Sequence, residues 1–166
     1  DNALGLIRGT VRLNTNVSVP LLNNTGNYSI FESARLWVNG GSTSKVGGEA
    51  IVPYGILQIS DGTLDAPVRS GITTRDNGTI VVEGGALTVN QIRTSVLGAE
   101  NIGGYFQSGG TVNVTGQNVQ QNYYTFSLTY PGNSFNMSGG TLRVSGSDIF
   151  IDNTAGSSVQ ILGGGI

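Results

Sequence analysis

The chain of 166 residues contains neither cysteine nor histidine. Without cysteine there are no disulfides and no thiolate metal sites. Without histidine the commonest general base, metal ligand and triad member is missing, and a serine nucleophile has no imidazole partner. Charge is also scarce, at 11% of residues with a net charge of −2. The basic residues are scattered as Arg8, Arg12, Arg35, Lys45, Arg69, Arg75, Arg93 and Arg143. They form neither a patch nor a run, which argues against nucleic acid as a partner. No apolar stretch approaches the roughly 18 residues of a membrane helix, so this segment is not expected to insert into a bilayer. The Gly-x-x-x-x-Gly-Lys loop of nucleotide-binding proteins is absent too.

Asn, Ser, Thr and 27 glycines fill the polar and turn positions, a vocabulary of strands and bends rather than of helices. A frame recurs around Gly9, Gly41, Gly62, Gly85, Gly110, Gly140 and Gly164, spaced 21 to 32 residues apart. Five residues before each glycine stand Leu4, Leu36, Leu57, Ile80, Tyr105, Phe135 and Val159. Three before stand Leu6, Val38, Ile59, Val82, Gln107, Met137 and Ile161. Two after come Val11, Thr43, Leu64, Leu87, Val112, Leu142 and Ile166, and four after come Leu13, Lys45, Ala66, Val89, Val114 and Val144. Gln107 interrupts one apolar column, and Lys45 marks the weakest copy.

Apolar residues two apart on both sides of a glycine read as a strand, a bend and a second strand, with one face turned inward. A recurrence of roughly 20 to 50 residues signals a solenoid, propeller or array. The shortest copies are too short for a four-stranded propeller blade of about 40 residues and suit one turn of a parallel β-helix. The expected fold is therefore all-β: a single-stranded parallel β-helix of about seven turns, right-handed by the usual crossover rule. A third short strand completes each turn, as at Ile149–Ile151, Tyr124–Leu128 and Val68–Ile72. Two longer turns carry loops, around Asn14 to Ala34 and around Gln117 to Asn133. The whole of 1–166 reads as one β-helix segment of a longer repeat polypeptide, whose further repeats would be its nearest partners. Six Asn-x-Ser/Thr sequons, at Asn16, Asn23, Asn27, Asn77, Asn113 and Asn136, follow from the Asn-, Ser- and Thr-rich composition.

The tracts Gly109-Gly110-Thr111-Val112-Asn113-Val114 and Gly139-Gly140-Thr141-Leu142-Arg143-Val144 resemble the Gly-Gly-Thr-Leu-x-Val repeats of large exported bacterial β-helix proteins. These are autotransporter passengers, filamentous adhesins and the giant repeat proteins of Bacteroidetes surfaces. The resemblance covers the chain from Leu36 onward and, more loosely, Leu4 to Leu13. It implies a structural or adhesive stalk, secreted or held at the bacterial cell surface. Its partners would be export machinery at the outer membrane, the type IX route among them, and surface glycans or other cell-surface proteins.

Three groups of residues carry candidate chemistry. Asp61 and Asp65 flank Gly62, Glu83 falls on the next turn, and Arg69 and Arg75 follow. Carboxylates on adjacent turns can act as an acid pair or hold calcium through oxygen ligands, as in β-helical polysaccharide lyases and glycosidases. Set against that, the same residues read as a solvated outer face. No cofactor is otherwise expected. Trp37 and Phe106, four before their glycines, should point out of the coil, where aromatics stack on sugar rings or anchor a partner protein. Phe31, Tyr124 and Phe126 are expected to fold back over them. Thr63, Thr111 and Thr141, directly after the glycine, form an outward hydroxyl column with a structural role.

Overall fold

A computed structural model describes residues 5–15, 26–45, 47, 49–67, 69, 71–94, 103–116, 125–128, 133–145, 149–151 and 158–161. Among them every strand pairing is parallel, in two sheets, and no residue is helical. The seven-stranded sheet stacks β1 (Gly5–Leu6), β3 (Tyr28–Ile30), β5 (Ile51–Pro53), β7 (Ile72–Thr74), β10 (Ile92–Thr94), β13 (Phe126–Leu128) and β16 (Ile149–Ile151) in chain order. This sheet is the first face of the coil.

The other sheet bends around the glycine corner and supplies two faces. Before the corner, β2 (Gly9–Leu13), the first halves of β4 (Ala34–Ser44) and β6 (Ile56–Ala66), then β8 (Thr79–Val82), β11 (Gly104–Gln107), β14 (Ser134–Met137) and β17 (Ser158–Ile161) make the second face. After it, the remaining halves of β4 and β6 continue into β9 (Ala86–Val89), β12 (Thr111–Val114) and β15 (Thr141–Val144) on the third. From the corner at Gly41 to that at Gly140 the chain completes four turns of a β-solenoid.

The corner glycines do what their recurrence implied. Gly41, Gly62, Gly85, Gly110 and Gly140 all have φ between 64° and 81°, the left-handed region that side chains resist. Gly9, which its flanking apolar residues assigned to this column, belongs to the opposite corner. β2 pairs with the first half of β4, so that Gly9 lies beside Ala34 and Leu13 beside Val38, and Leu6 belongs to the first face. Apolar residues two apart on both sides of a bend look alike at any corner; only the strand pairing separates them. Gly164 and Leu4 lie outside the described residues, as do most of both long loops. The third strands appear at Ile149–Ile151, at Phe126–Leu128 and, shifted from the expected Val68–Ile72, at Ile72–Thr74.

Alternation then builds the core. Leu36, Val38, Leu57, Ile59, Ile80 and Val82 point inward from the second face, Leu64, Leu87, Val112 and Leu142 from the third, and Ile51, Ile72 and Ile92 from the first. Each such side chain contributes roughly 1.5 to 3 kcal/mol on burial. Phe126, expected as part of an outer cover, is fully buried instead. Its ring meets Tyr105 and Phe135 edge-on at 5.5 and 5.9 Å, while those two stack at 5.4 Å. The first face needs an inward residue at this level, and Phe126 sits beside Ile92 in the ladder.

Both polar interruptions of the apolar columns remain inside. Gln107 accepts from the Tyr105 hydroxyl at 2.6 Å and donates to the carbonyls of Gly109 and Thr141, each at 3.1 Å. Lys45 is fully buried, with Nζ donating to Gly47 O at 2.7 Å and Gly26 O at 3.4 Å. Burial lowers its pKa, because the ammonium is the form that loses hydration. Between that lowered value and the ordinary lysine value the unfolded chain binds more protons than the folded one, so stability rises with pH in this window. Lys45→Met is expected to stabilise the coil on the order of 1 kcal/mol at neutral pH and to remove that alkaline rise. Urea unfolding of both proteins across the window checks this, the difference cancelling the opposing effect of Tyr28 and Tyr105, whose pKa values burial raises.

Candidate functional site

The outward positions of the second face form columns parallel to the coil axis. The central one runs Arg12, Trp37, Gln58, Val81, Phe106, Asn136, set by the strand register. Two residues further along, the neighbouring column includes Ser60, Glu83, Ser108 and Ser138, with Asn39 set beside it by a register shift that pairs it with Asp61. Strand alternation alone puts these side chains outside, and parallel stacking brings residues some 20 to 30 positions apart within reach of each other.

At the upper end the strip is closed by its own contacts. The Arg12 guanidinium lies 4.3 Å from the centroid of the Trp37 ring, a cation–π arrangement. With its amide oxygen turned toward Arg12, Asn39 accepts from Nε at 3.2 Å and Nη2 at 2.6 Å. Trp37 Nε1 donates to Ser60 Oγ at 2.8 Å. In the middle, Ser60 Oγ and Gln58 Nε2 both donate to Glu83 Oε2, at 2.6 and 2.8 Å. These two hydrogen bonds hold the Glu83 carboxyl below its ordinary pKa; burial opposes them, and the charge of Arg35 adds the least of the lowering effects. Glu83 is thus a fixed, exposed anion at neutral pH.

Among the described residues nothing closes the strip at its lower end. Phe106 is 38% exposed, and its Cε2 lies over Gly104, 3.1 Å from where a Cβ would stand. Val81, Glu83, Ser108, Asn136 and Ser138 surround it in a groove of about 230 Å³. Neither Phe31 nor Phe126 supplies the expected cover here. Phe31 stacks on Tyr54 at 5.8 Å, at the corner between the first and second faces, Phe126 is in the core, and Tyr124 lies outside the described residues.

The acid group divides between faces. Glu83 lies on the second face. Asp61 is at the glycine corner, where its Oδ1 accepts from Gly62 N at 2.7 Å. Asp65 points outward on the third face, level with Ser44 and Thr88. Arg69 follows the third face, its carbonyl accepting from Asn90 Nδ2 at 2.9 Å. Arg75 is at the corner after the first face, with Nη1 3.4 Å from the Tyr54 hydroxyl. Among the described residues no three His, Cys, Asp or Glu side chains converge as a cation site. The hydroxyl column is outward, with Thr63 Oγ1 donating to Ser42 Oγ at 3.0 Å. Sequence reasoning missed the partners of Glu83, although Gln58 and Ser60 occupy fixed places in the repeat frame one turn earlier.

No family model, no curated protein and no solved structure matches the chain. Its class is given by the coil itself: an all-β parallel solenoid with glycine corners.

Proposed function

We propose that the chain is a non-catalytic length of rigid β-solenoid stalk from a large secreted or cell-surface bacterial protein. The observation carrying this reading is the corner column, five glycines stacked in register over four turns. A coil of this kind gains length and stability by adding like turns, each at about 4.8 Å along the axis. In this reading the coil is right-handed and reaches about seven turns, counting the incomplete ones to which β1, β2, β16 and β17 belong. The Gly-Gly-Thr tracts, with their likeness to exported bacterial β-helices, support a surface setting and export across the outer membrane. No cofactor enters this function.

The intact mass of the polypeptide from its native source, with peptide sequencing beyond both ends, tests the stalk. Many further glycine-cornered turns are expected. A chain closed by a cap within a few turns would overturn the reading.

A second reading, contact with surface glycans through the outward aromatics, is favoured by the open groove at Phe106. Trp37 would contribute less directly, since Arg12 lies over its ring and Ser60 takes its N–H. Stalk and glycan contact are compatible, because the groove lies on the outside of a turn and leaves the stacking intact.

A further inference from the structure

The groove at the lower end of the strip combines three features in the space of one sugar ring. Its volume is about 230 Å³. Its floor is apolar and spans two adjacent turns, Val81 beside Phe106. The Phe106 ring leans over Gly104, so it is supported from the sheet side while part of it meets solvent. An aromatic ring held in this way suits the C–H face of a pyranose. Around the floor stand neutral hydrogen-bonding groups, Asn136 on the following turn and the hydroxyls of Ser108 and Ser138. The two serine hydroxyls match ring hydroxyls rather than a formal charge.

Among the described residues lining this groove, Glu83 alone is charged. Its Oε2 is engaged by Ser60 and Gln58, which fixes the carboxylate in place and leaves Oε1 for a ligand. Arg35, the cation that acts on it, lies two turns earlier in the register. An anionic sugar would meet repulsion here, whereas an ammonium would find a preorganised acceptor.

We propose that this groove binds an amino-sugar oligosaccharide, one ring stacked on Phe106 with its ammonium on Glu83 and its hydroxyls on Ser108 and Ser138. The proposal rests on the glycan-contact reading and adds to it the class of sugar. A lysine side chain of a protein partner would satisfy Glu83 but would leave the ring-sized floor and the neutral rim unused.

Calorimetric titration of the full chain with soluble oligomers of glucosamine, N-acetylglucosamine and galacturonic acid tests the assignment. Glucosamine oligomers are expected to bind at least about tenfold more tightly than the other two, with affinity falling as salt is raised. Phe106→Ala should weaken their binding about tenfold or more, and Glu83→Gln should bring them to the level of the N-acetylated oligomer. Phe106 and Glu83 are both exposed, so the thermal midpoints of these variants should stay close to that of the parent, which separates a lost contact from a lost fold. Equal binding of all oligomers, or binding indifferent to Glu83→Gln, would overturn the amino-sugar assignment while leaving glycan contact standing. Binding indifferent to Phe106→Ala would place the site elsewhere and overturn the proposal. Failure of the parent chain to bind any oligomer would overturn both it and the glycan reading, and would leave the stalk untouched.

Discussion

Gly110→Ala is expected to cost the coil about 3 kcal/mol or more, a loss large enough to unfold a marginal segment. Two effects add. The residue has φ +67°, where an L side chain costs roughly 1 to 2 kcal/mol. A Cβ there would also stand 2.6 Å from the carbonyl oxygen of Gly84 and 2.7 Å from that of Gly85, both backbone atoms of the turn before. Neither can rotate away, so the turns must part, and the bond from Thr141 N to Gly110 O at 2.9 Å is strained with them.

Two control substitutions separate these effects. Gly9 has φ +79° but nothing within 4 Å of the added Cβ, and Gly26 has open space without a positive φ. Gly9→Ala should therefore cost about 1 kcal/mol and Gly26→Ala close to nothing. Urea unfolding of the three variants measures the series. Equal losses at Gly110 and Gly9 would mean that close approach of the turns contributes nothing.

Phe126→Ala should cost a further 3 to 5 kcal/mol, roughly the range for emptying a buried aromatic site. The ring is fully buried and touches Tyr105 and Phe135 edge-on, so its removal strips contacts from both. Backbone collapse into the gap is resisted, because β13 is pinned between β10 and β16 on the first face. Phe126→Leu should recover most of the loss, and a midpoint shift without a change in the slope of the denaturant curve is the expected form of the result. A loss below about 1 kcal/mol would show that the site repacks.

The sequence carries the coil more openly than it carries its contacts. Inward and outward positions can be read wherever alternation runs through a glycine, which is why Leu57, Ile59, Leu64 and Ala66 fall inside and Thr63 outside. Gly9 misleads because Leu4, Leu6, Val11 and Leu13 imitate the same frame around a different corner. The second corner column, Gly55, Gly78 and Gly103, escapes notice because Ala34 and Asn133 interrupt it in a chain of 27 glycines. Lys45 looks like a failed copy, yet its position is kept and its stem occupies the column of Ala66. Phe126 follows a long loop, so nothing local marks it as core. The Gln58, Ser60 and Glu83 cluster depends on a register across a turn, information that lies in the stacking rather than in any one segment.

The direction of the ladders has a mechanical consequence. The strands run around the coil, so their hydrogen bonds lie along its length, and a pull on the two ends loads successive turns in series. Within each interface the load is shared unequally. Pairings on the first face span two or three residues or fewer, as between β1 and β3 or β10 and β13, whereas β4 and β6 are matched over eight. Tension is therefore borne mainly on either side of the glycine corner, and a pulled coil is expected to yield first where the matched length is shortest.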